Sequence, residues 1–205
     1  MIKALKNTAM VAALIFVSTF ASSQAFADAE AYRIDDTHSF ANWTIRHVAS
    51  KTSGTFSDVT GKIMMDRANL ANSSVDAKIN LLSVNSSHAR RDEHIKKPEY
   101  LDVGKFAEMT FVSKKIEAKS ATEGVMTGVL TLHGVAKELS FPFKVLGFGT
   151  DPWGGFRSGF EAQTTIKASD FGFAWPLKKD APVGDEIDIT LLIEGVKLPL
   201  EKPIK

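Results

Sequence analysis

The chain has 205 residues, with 25 Lys and Arg against 24 Asp and Glu and a formal net charge of +1. It contains no cysteine, which excludes disulfides, thiolate catalysis, iron–sulfur ligation and covalent c-type haem. The near balance of charge lacks the basic excess that a nucleic-acid partner requires.

The first segment reads as targeting rather than fold. Lys3 and Lys6 precede an apolar run over residues 9–21, and Ala25-Phe26-Ala27 is a small-x-small sequence before Asp28. This is the arrangement of a secretory signal peptide. A membrane span would need about 20 apolar residues, and this run is shorter. Residues 1–27 are therefore expected to be a cleaved signal, with 28–205 forming one exported domain without a stable membrane anchor. Loss of Lys3 and Lys6 takes the formal charge from +1 to −1. Export permits disulfides, but without cysteine the domain must stand on its core alone.

Strand patterns follow in order. Phe40 to Val48 is rich in β-formers, and Lys62 to Met65 gives a short strand after Gly61. Val75, Ala77, Ile79 and Leu81 alternate with Asp76, Lys78 and Asn80, the period of a half-buried strand. Ser86-Ser87 can cap a helix running to about Lys96, which Pro98 would stop. Met109 to Ile116 is the next strand. Val129 to Leu132 and the alternating Leu139, Phe141, Phe143 and Val145 flank His133-Gly134, whose glycine suits a turn with positive φ. Phe156 to Ile166 and the alternation Ile187, Ile189, Leu191, Ile193 complete about eight strands. Many short strands with one helix indicate an all-β, eight-stranded antiparallel barrel. Such a barrel holds side chains or one small ligand. The 14 Phe and 3 Trp against 2 Tyr suit an apolar lining, or equally a Phe-rich packed core.

Several segments resemble the YceI-like, polyisoprenoid-binding family. His38-Ser-Phe-Ala-Asn-Trp-Thr-Ile-Arg-His47 is similar to its first long strand, and Gly54-Thr-Phe56 with Gly61 to the next turn and strand. Arg91-Asp92-x-His94 resembles its helix motif, and Gly128-x-Leu-Thr-Leu-x-Gly134 with Lys137 its central hairpin. Asp151-Pro-Trp-Gly-Gly-x-Arg-x-Gly-Phe160 is similar to a loop-and-strand motif of one branch, and Asp170-Phe171 to a late turn. The resemblance covers nearly all of residues 28–205. Many relatives carry a basic residue where this chain has Ala168, and Tyr-Pro where it has Phe106-Ala107. No head-group contact at position 168 therefore carries over.

The resemblance implies a lipocalin-like periplasmic barrel that holds a long-chain amphiphile, an isoprenoid quinone or polyprenyl lipid, with its tail inside. The apolar phases of the strands then nominate Trp43, Ile45, Phe56, Phe111, Leu130, Leu132, Phe141, Phe143, Phe160 and Phe171 as lining. His47, Arg91, His94 and Arg157 are the candidates for the polar head. The structural alternatives are a hydrogen-bonded core histidine, an Arg91–Asp92 pair and an arginine facing water. No cofactor other than the bound lipid is expected.

Catalysis and metal binding find little support. There is no HExxH and no i, i+4 histidine pair, His88 and His94 being six apart. Ser158 in Gly155-Phe-Arg-Ser-Gly159 does not form the G-x-S-x-G elbow. Neither catalytic residues nor a metal set is therefore nominated. A fatty-acid or fatty-amide carrier, a small lipid-modifying enzyme and a filled-core interaction protein are the alternatives. A transient membrane contact, and pairing of two barrels through an edge strand or apolar rim, fit the same pattern.

Overall fold

The computed structural model describes residues 29–199; the expected signal segment, 1–27, lies outside them. Eleven strands and one α-helix follow in order: β1 (Glu30–Ile34), β2 (Phe40–His47), β3 (Ser50–Phe56), β4 (Val59–Met65), β5 (Ser74–Asn80), β6 (Val84–Asn85), α1 (Ala89–Ile95), β7 (Glu108–Ala118), β8 (Glu123–Leu132), β9 (Val135–Thr150), β10 (Phe156–Lys167) and β11 (Val183–Lys197). The strands pair in the order β1-β4-β5-β7-β8-β9-β10-β11, and β11 pairs back onto β1. That circuit is a closed antiparallel barrel of eight strands, as the sequence pattern implies. Closure leaves no edge in the circuit.

β2, β3 and β6 continue the sheet beyond the circuit. β11 is long enough to pair twice on the same side, with β2 along Ile187–Leu192 and with β1 along Gly195–Lys197. Between them the chain kinks at 35–39. Three strands, β1, β3 and the two-residue β6, are not apparent as patterns in the sequence. β1 is only five residues long, and Ser50-Lys-Thr-Ser-Gly-Thr-Phe56 has no apolar alternation. Its pairing with β2 is fixed by neighbours rather than by its own side chains.

The end of the circuit where β1 begins and β11 stops is here called the lower end. At the upper end β9 and β10 part. Their ladder stops at the pair Phe143–Ala162, and the next residue of β9 is Pro142, which has no N–H to extend it. A one-turn 3₁₀ segment, Ala168–Phe171, packs there and buries Ala168 and Phe171. Six rings complete the upper plug, in contact from His94 through Tyr100, Trp175, Phe173 and His133 to Phe106, with centroids 4.5–5.3 Å apart.

The β8–β9 connection is the two-residue turn His133-Gly134, with φ of 52° and 76°. Both positive values define the type I′ geometry that matches strand twist. Helix α1 differs in detail from the sequence expectation. It starts at Ala89, and its N-cap is His88, whose Nδ1 accepts the Arg91 N–H at 3.3 Å. Ser86 and Ser87 do not cap it. Ser87 adopts a positive φ of 60°, and the Ser86 N–H and hydroxyl donate to the Asp92 carboxylate.

Candidate ligand-binding site

An apolar cavity of about 120 Å³ lies inside the barrel. Its wall includes Ile34, Val59, Ile63 and Met65 from β1 and β4, and Val75, Ala77 and Ile79 from β5. Met109, Phe111 and Ile116 of β7, Met126 and Leu130 of β8, and Phe141 and Phe143 of β9 line it too, with Phe160, Ala162, Leu191 and Ile193 from the last two strands. Side chains alternate in and out along each strand, so every second residue reaches the lumen.

The lumen stays open partly because glycines let aromatic rings lie against the wall. A Cβ at Gly128 would stand 2.8 Å from Phe111 Cε2, and one at Gly124 would stand 2.8 Å from Phe143 Cε1. Both glycines are on the inward face of β8 with Met126 and Leu130. With any larger residue there, the rings would be pushed toward the centre. Trp43 repeats the arrangement outside the cavity: it is the register partner of Gly54, and a Cβ there would stand 2.7 Å from its Cε2. The buried Trp43 Nε1 has no hydrogen-bond partner among the described residues.

Five of the ten residues nominated from sequence, Phe111, Leu130, Phe141, Phe143 and Phe160, line this cavity. The other five lie toward the upper end. Ile45, Phe56, Leu132 and Phe171 are buried there, and Trp43 packs against the same core. The three methionines, Met65, Met109 and Met126, escaped the sequence reading. Met65 and Met109 sit at inward phases of segments that the sequence marks as strands, so phase could have found them, whereas Met126 precedes the Val129–Leu132 segment. Methionine is unbranched and adaptable, which suits a wall that must accept a variable shape.

The polar candidates fall elsewhere. His47 is exposed at the end of β2, opposite Ser50. The Arg91 Nε donates to Ser86 Oγ at 2.7 Å and its Nη2 to the Ser86 carbonyl, so it anchors α1 to β6. His94 meets the Tyr100 ring edge-on at 4.8 Å. Arg157 lies in phase with Gly159 and Glu161 on the outer wall.

Arg157 is the hub of an ion network at the kink. Its Nε donates to Asp151 Oδ2 at 2.8 Å, and its Nη1 donates to Glu194 Oε1 at 2.7 Å and to Asp35 Oδ2. Asp151 also accepts the N–H groups of Trp153 and Gly155, holding the β9–β10 turn. Burial alone would raise the Asp35 carboxyl, but hydrogen bonds from Thr37, His38 and Arg157 outweigh it and hold the group far below the usual carboxylate range. The Arg157 hydrogen bond likewise lowers Asp151, aided by the Gly155 N–H. Asp35, His38 and Glu194 present ligand-type atoms within 4.8 Å of one another. The Arg157 guanidinium already supplies positive charge to both of their carboxylates.

The lower end carries a second polar group. Tyr32 is fully buried, and its hydroxyl donates to Glu30 at 2.6 Å. Lys197 Nζ donates to the other Glu30 oxygen at 2.5 Å. The rings of Phe148 and Phe156 stack 6.4 Å apart, and the Arg67 guanidinium lies 4.5 Å above the Phe148 centroid.

Geometry and composition together define a lipocalin-like barrel with an apolar lumen, closed by an aromatic plug above and by charged residues over aromatic rings below. The YceI-like domain matches residues 32–195. A UPF0312 protein of Ectopseudomonas mendocina is 38% identical over 194 residues, spanning 94% of this chain and 99% of that protein. The chain belongs to the YceI-like family. Among solved structures, Burkholderia cenocepacia BcnA superposes with a TM-score of 0.71 at 22% identity, over 78% of this chain and 98% of that one. A polyisoprenoid binding domain from Saccharophagus degradans superposes with a TM-score of 0.63 at 16% identity, over 82% and 99%. Both share the fold.

Proposed function

We propose that this protein is a periplasmic carrier for a long-chain amphiphile, an isoprenoid quinone or polyprenyl lipid, released from its signal segment after residue 27. The observation that carries the reading is the cavity itself, an apolar lumen kept open by rings laid against glycines. A core selected only for packing would fill that space. The polyisoprenoid binding domain that shares this fold supports the choice of ligand class.

A volume of about 120 Å³ is below the ~300–1,000 Å³ typical of ligand pockets. Binding therefore requires the wall to yield. Met65, Met109 and Met126 can change rotamer at little cost, and Phe111 and Phe143 can rotate about their glycine seats. Each buried methylene of the tail contributes ~0.8 kcal/mol gross, offset by ordering of the tail. The tail thus sets affinity. No covalent step is required, and the residues act by burying and orienting the chain.

The test is native mass spectrometry of protein drawn from the periplasm, followed by organic extraction. A stoichiometric isoprenoid establishes the reading, and a fatty acid or amide keeps the barrel but changes the ligand. Protein that is empty and refuses added quinone and polyprenol overturns it. Recovery of the protein in the cytoplasm with residues 1–27 intact would overturn the proposed location.

A further inference from the structure

We infer that Arg67 and Lys197 at the lower end of the barrel bind an anionic head group, a phosphate or carboxylate, of the amphiphile whose tail occupies the lumen. The inference rests on the carrier reading above and names the head that the carrier selects.

The placement comes first. The cavity reaches Met65 and Ser73, the two residues that bound the β4–β5 turn. Arg67 stands on that turn, two residues beyond Met65. The upper end is occupied by the packed ring series, whereas Phe148 and Phe156 at the lower end are only half-buried. A tail leaving the lumen downward would meet those two rings and then the two cations.

The chemistry follows. The Arg67 guanidinium lies 4.5 Å from the Phe148 centroid and 5.8 Å from that of Phe156. It makes no hydrogen bond among the described residues, and its ion pair with Glu30 is long, at 3.9 Å. Its five donors are therefore available in a planar fork suited to phosphate or carboxylate oxygens. The neighbouring acid does not take them. Asp66 is turned into its own loop, accepting the N–H groups of Ala68 and Asn69 and the Asn72 side chain. Lys197 Nζ lies 5.5 Å from the Phe156 centroid, on the same rings.

Glu30 shows what the site accommodates. Its carboxylate already takes the Tyr32 hydroxyl and the Lys197 ammonium and faces Arg67. Of the two cations, Lys197 is already bonded to Glu30, whereas Arg67 keeps its donors free of hydrogen bonds among the described residues. A head group adds its oxygens to Arg67 first and shares Lys197 with Glu30. A neutral quinone or alcohol head gains no comparable charge-assisted bond.

The experiment compares geranylgeranyl monophosphate with geranylgeraniol, which share one tail, by tryptophan fluorescence quenching or calorimetry on the intact protein. The phosphate is expected to bind at least tenfold more tightly at low salt, with the ratio falling as salt rises. Arg67→Gln, checked for an unchanged thermal midpoint, is expected to collapse the ratio. Lys197→Gln is the second variant and should reduce it in part. Arg33→Gln removes the same charge from the outer wall, where Arg33 faces Asp36, and should leave the ratio intact. Inorganic phosphate alone is expected not to bind measurably. Equal binding of both lipids to the wild type, or loss of the ratio in Arg33→Gln as much as in Arg67→Gln, overturns the head site while the carrier reading stands. Binding of free phosphate as tight as that of the lipid also overturns it. Binding of neither lipid overturns the carrier reading itself.

Discussion

The Phe111 ring rests against the backbone of Gly128, so closely that a Cβ on residue 128 would stand 2.8 Å from Phe111 Cε2 and 2.6 Å from the Val112 carbonyl oxygen. The two residues sit on paired strands, β7 and β8, and both face inward. The contact ties a local choice, glycine in a strand, to a global property, an open lumen. Glycine costs strand stability, and an aromatic ring covering it recovers part of that cost.

Gly128→Ala is therefore expected to do two things at once. Overpacking should destabilise the barrel by about 1–3 kcal/mol, and the displaced Phe111 ring should narrow the cavity. Thermal unfolding reads the first effect, and occupancy by added polyprenol reads the second. Unchanged occupancy in the folded variant would remove this pair from the site.

Phe160→Trp adds volume to the lumen from the β10 side, where Phe160 lines the cavity. Lipid affinity is expected to fall about tenfold or more, while stability shifts by no more than ~1–3 kcal/mol, the usual range for overpacking. A titration with geranylgeraniol in the folded variant decides this, and equal affinity would place Phe160 outside the tail path.

The Arg157 network gives a pH dependence of defined sign. Asp35 and Asp151 are both lowered in the folded state. Above the ordinary aspartate value of ~3.9 both are ionised whether folded or not, and their full contribution is present. As pH falls below that value and through the lower folded values, the contribution is lost. Denaturant midpoints measured from pH 6 to pH 2 should fall in the acid range for the wild type. Arg157→Gln should start lower at pH 6 and show a shallower decline, and a parallel decline would mean that other carboxylates dominate.

Gly134→Ala addresses the β8–β9 turn. Residue 134 has φ of 76°, and a Cβ there would stand 2.7 Å from Phe106 Cε1. The left-handed conformation alone costs a non-glycine residue ~1–2 kcal/mol. Displacement of Phe106 also disturbs its contact with His133 in the upper plug. A loss of about 2 kcal/mol or more in chemical unfolding is expected. A loss below about 0.5 kcal/mol would show that the turn relaxes freely.

Much of this barrel is legible in the residues themselves. Period-two alternation placed the strands that carry the lumen, because burial on one face writes its spacing directly into the chain. Val75 to Ile79 and Ile187 to Ile193 are examples, and the same phase nominated Phe111, Leu130, Phe141, Phe143 and Phe160. His133-Gly134 announced the hairpin because only certain residues tolerate positive φ.

The remainder depended on chain segments meeting in space. β3 has no alternation of its own, so only β2 beside it makes it a strand. Which apolar residues face the cavity and which the upper plug is a matter of height along the barrel, and phase does not encode height. That separated Phe56, Leu132 and Phe171 from Phe141 and Phe143. In sequence Arg157 is a head-group candidate or a solvent-facing cation, but Asp35 and Glu194, 122 and 37 residues away, make it a clamp. Arg67 carries no motif at all. Its place above Phe148 and Phe156 arises because the β4–β5 and β9–β10 turns, distant in sequence, converge where the circuit closes. Pattern fixes what each strand must bury, and closure decides which side chains share a site.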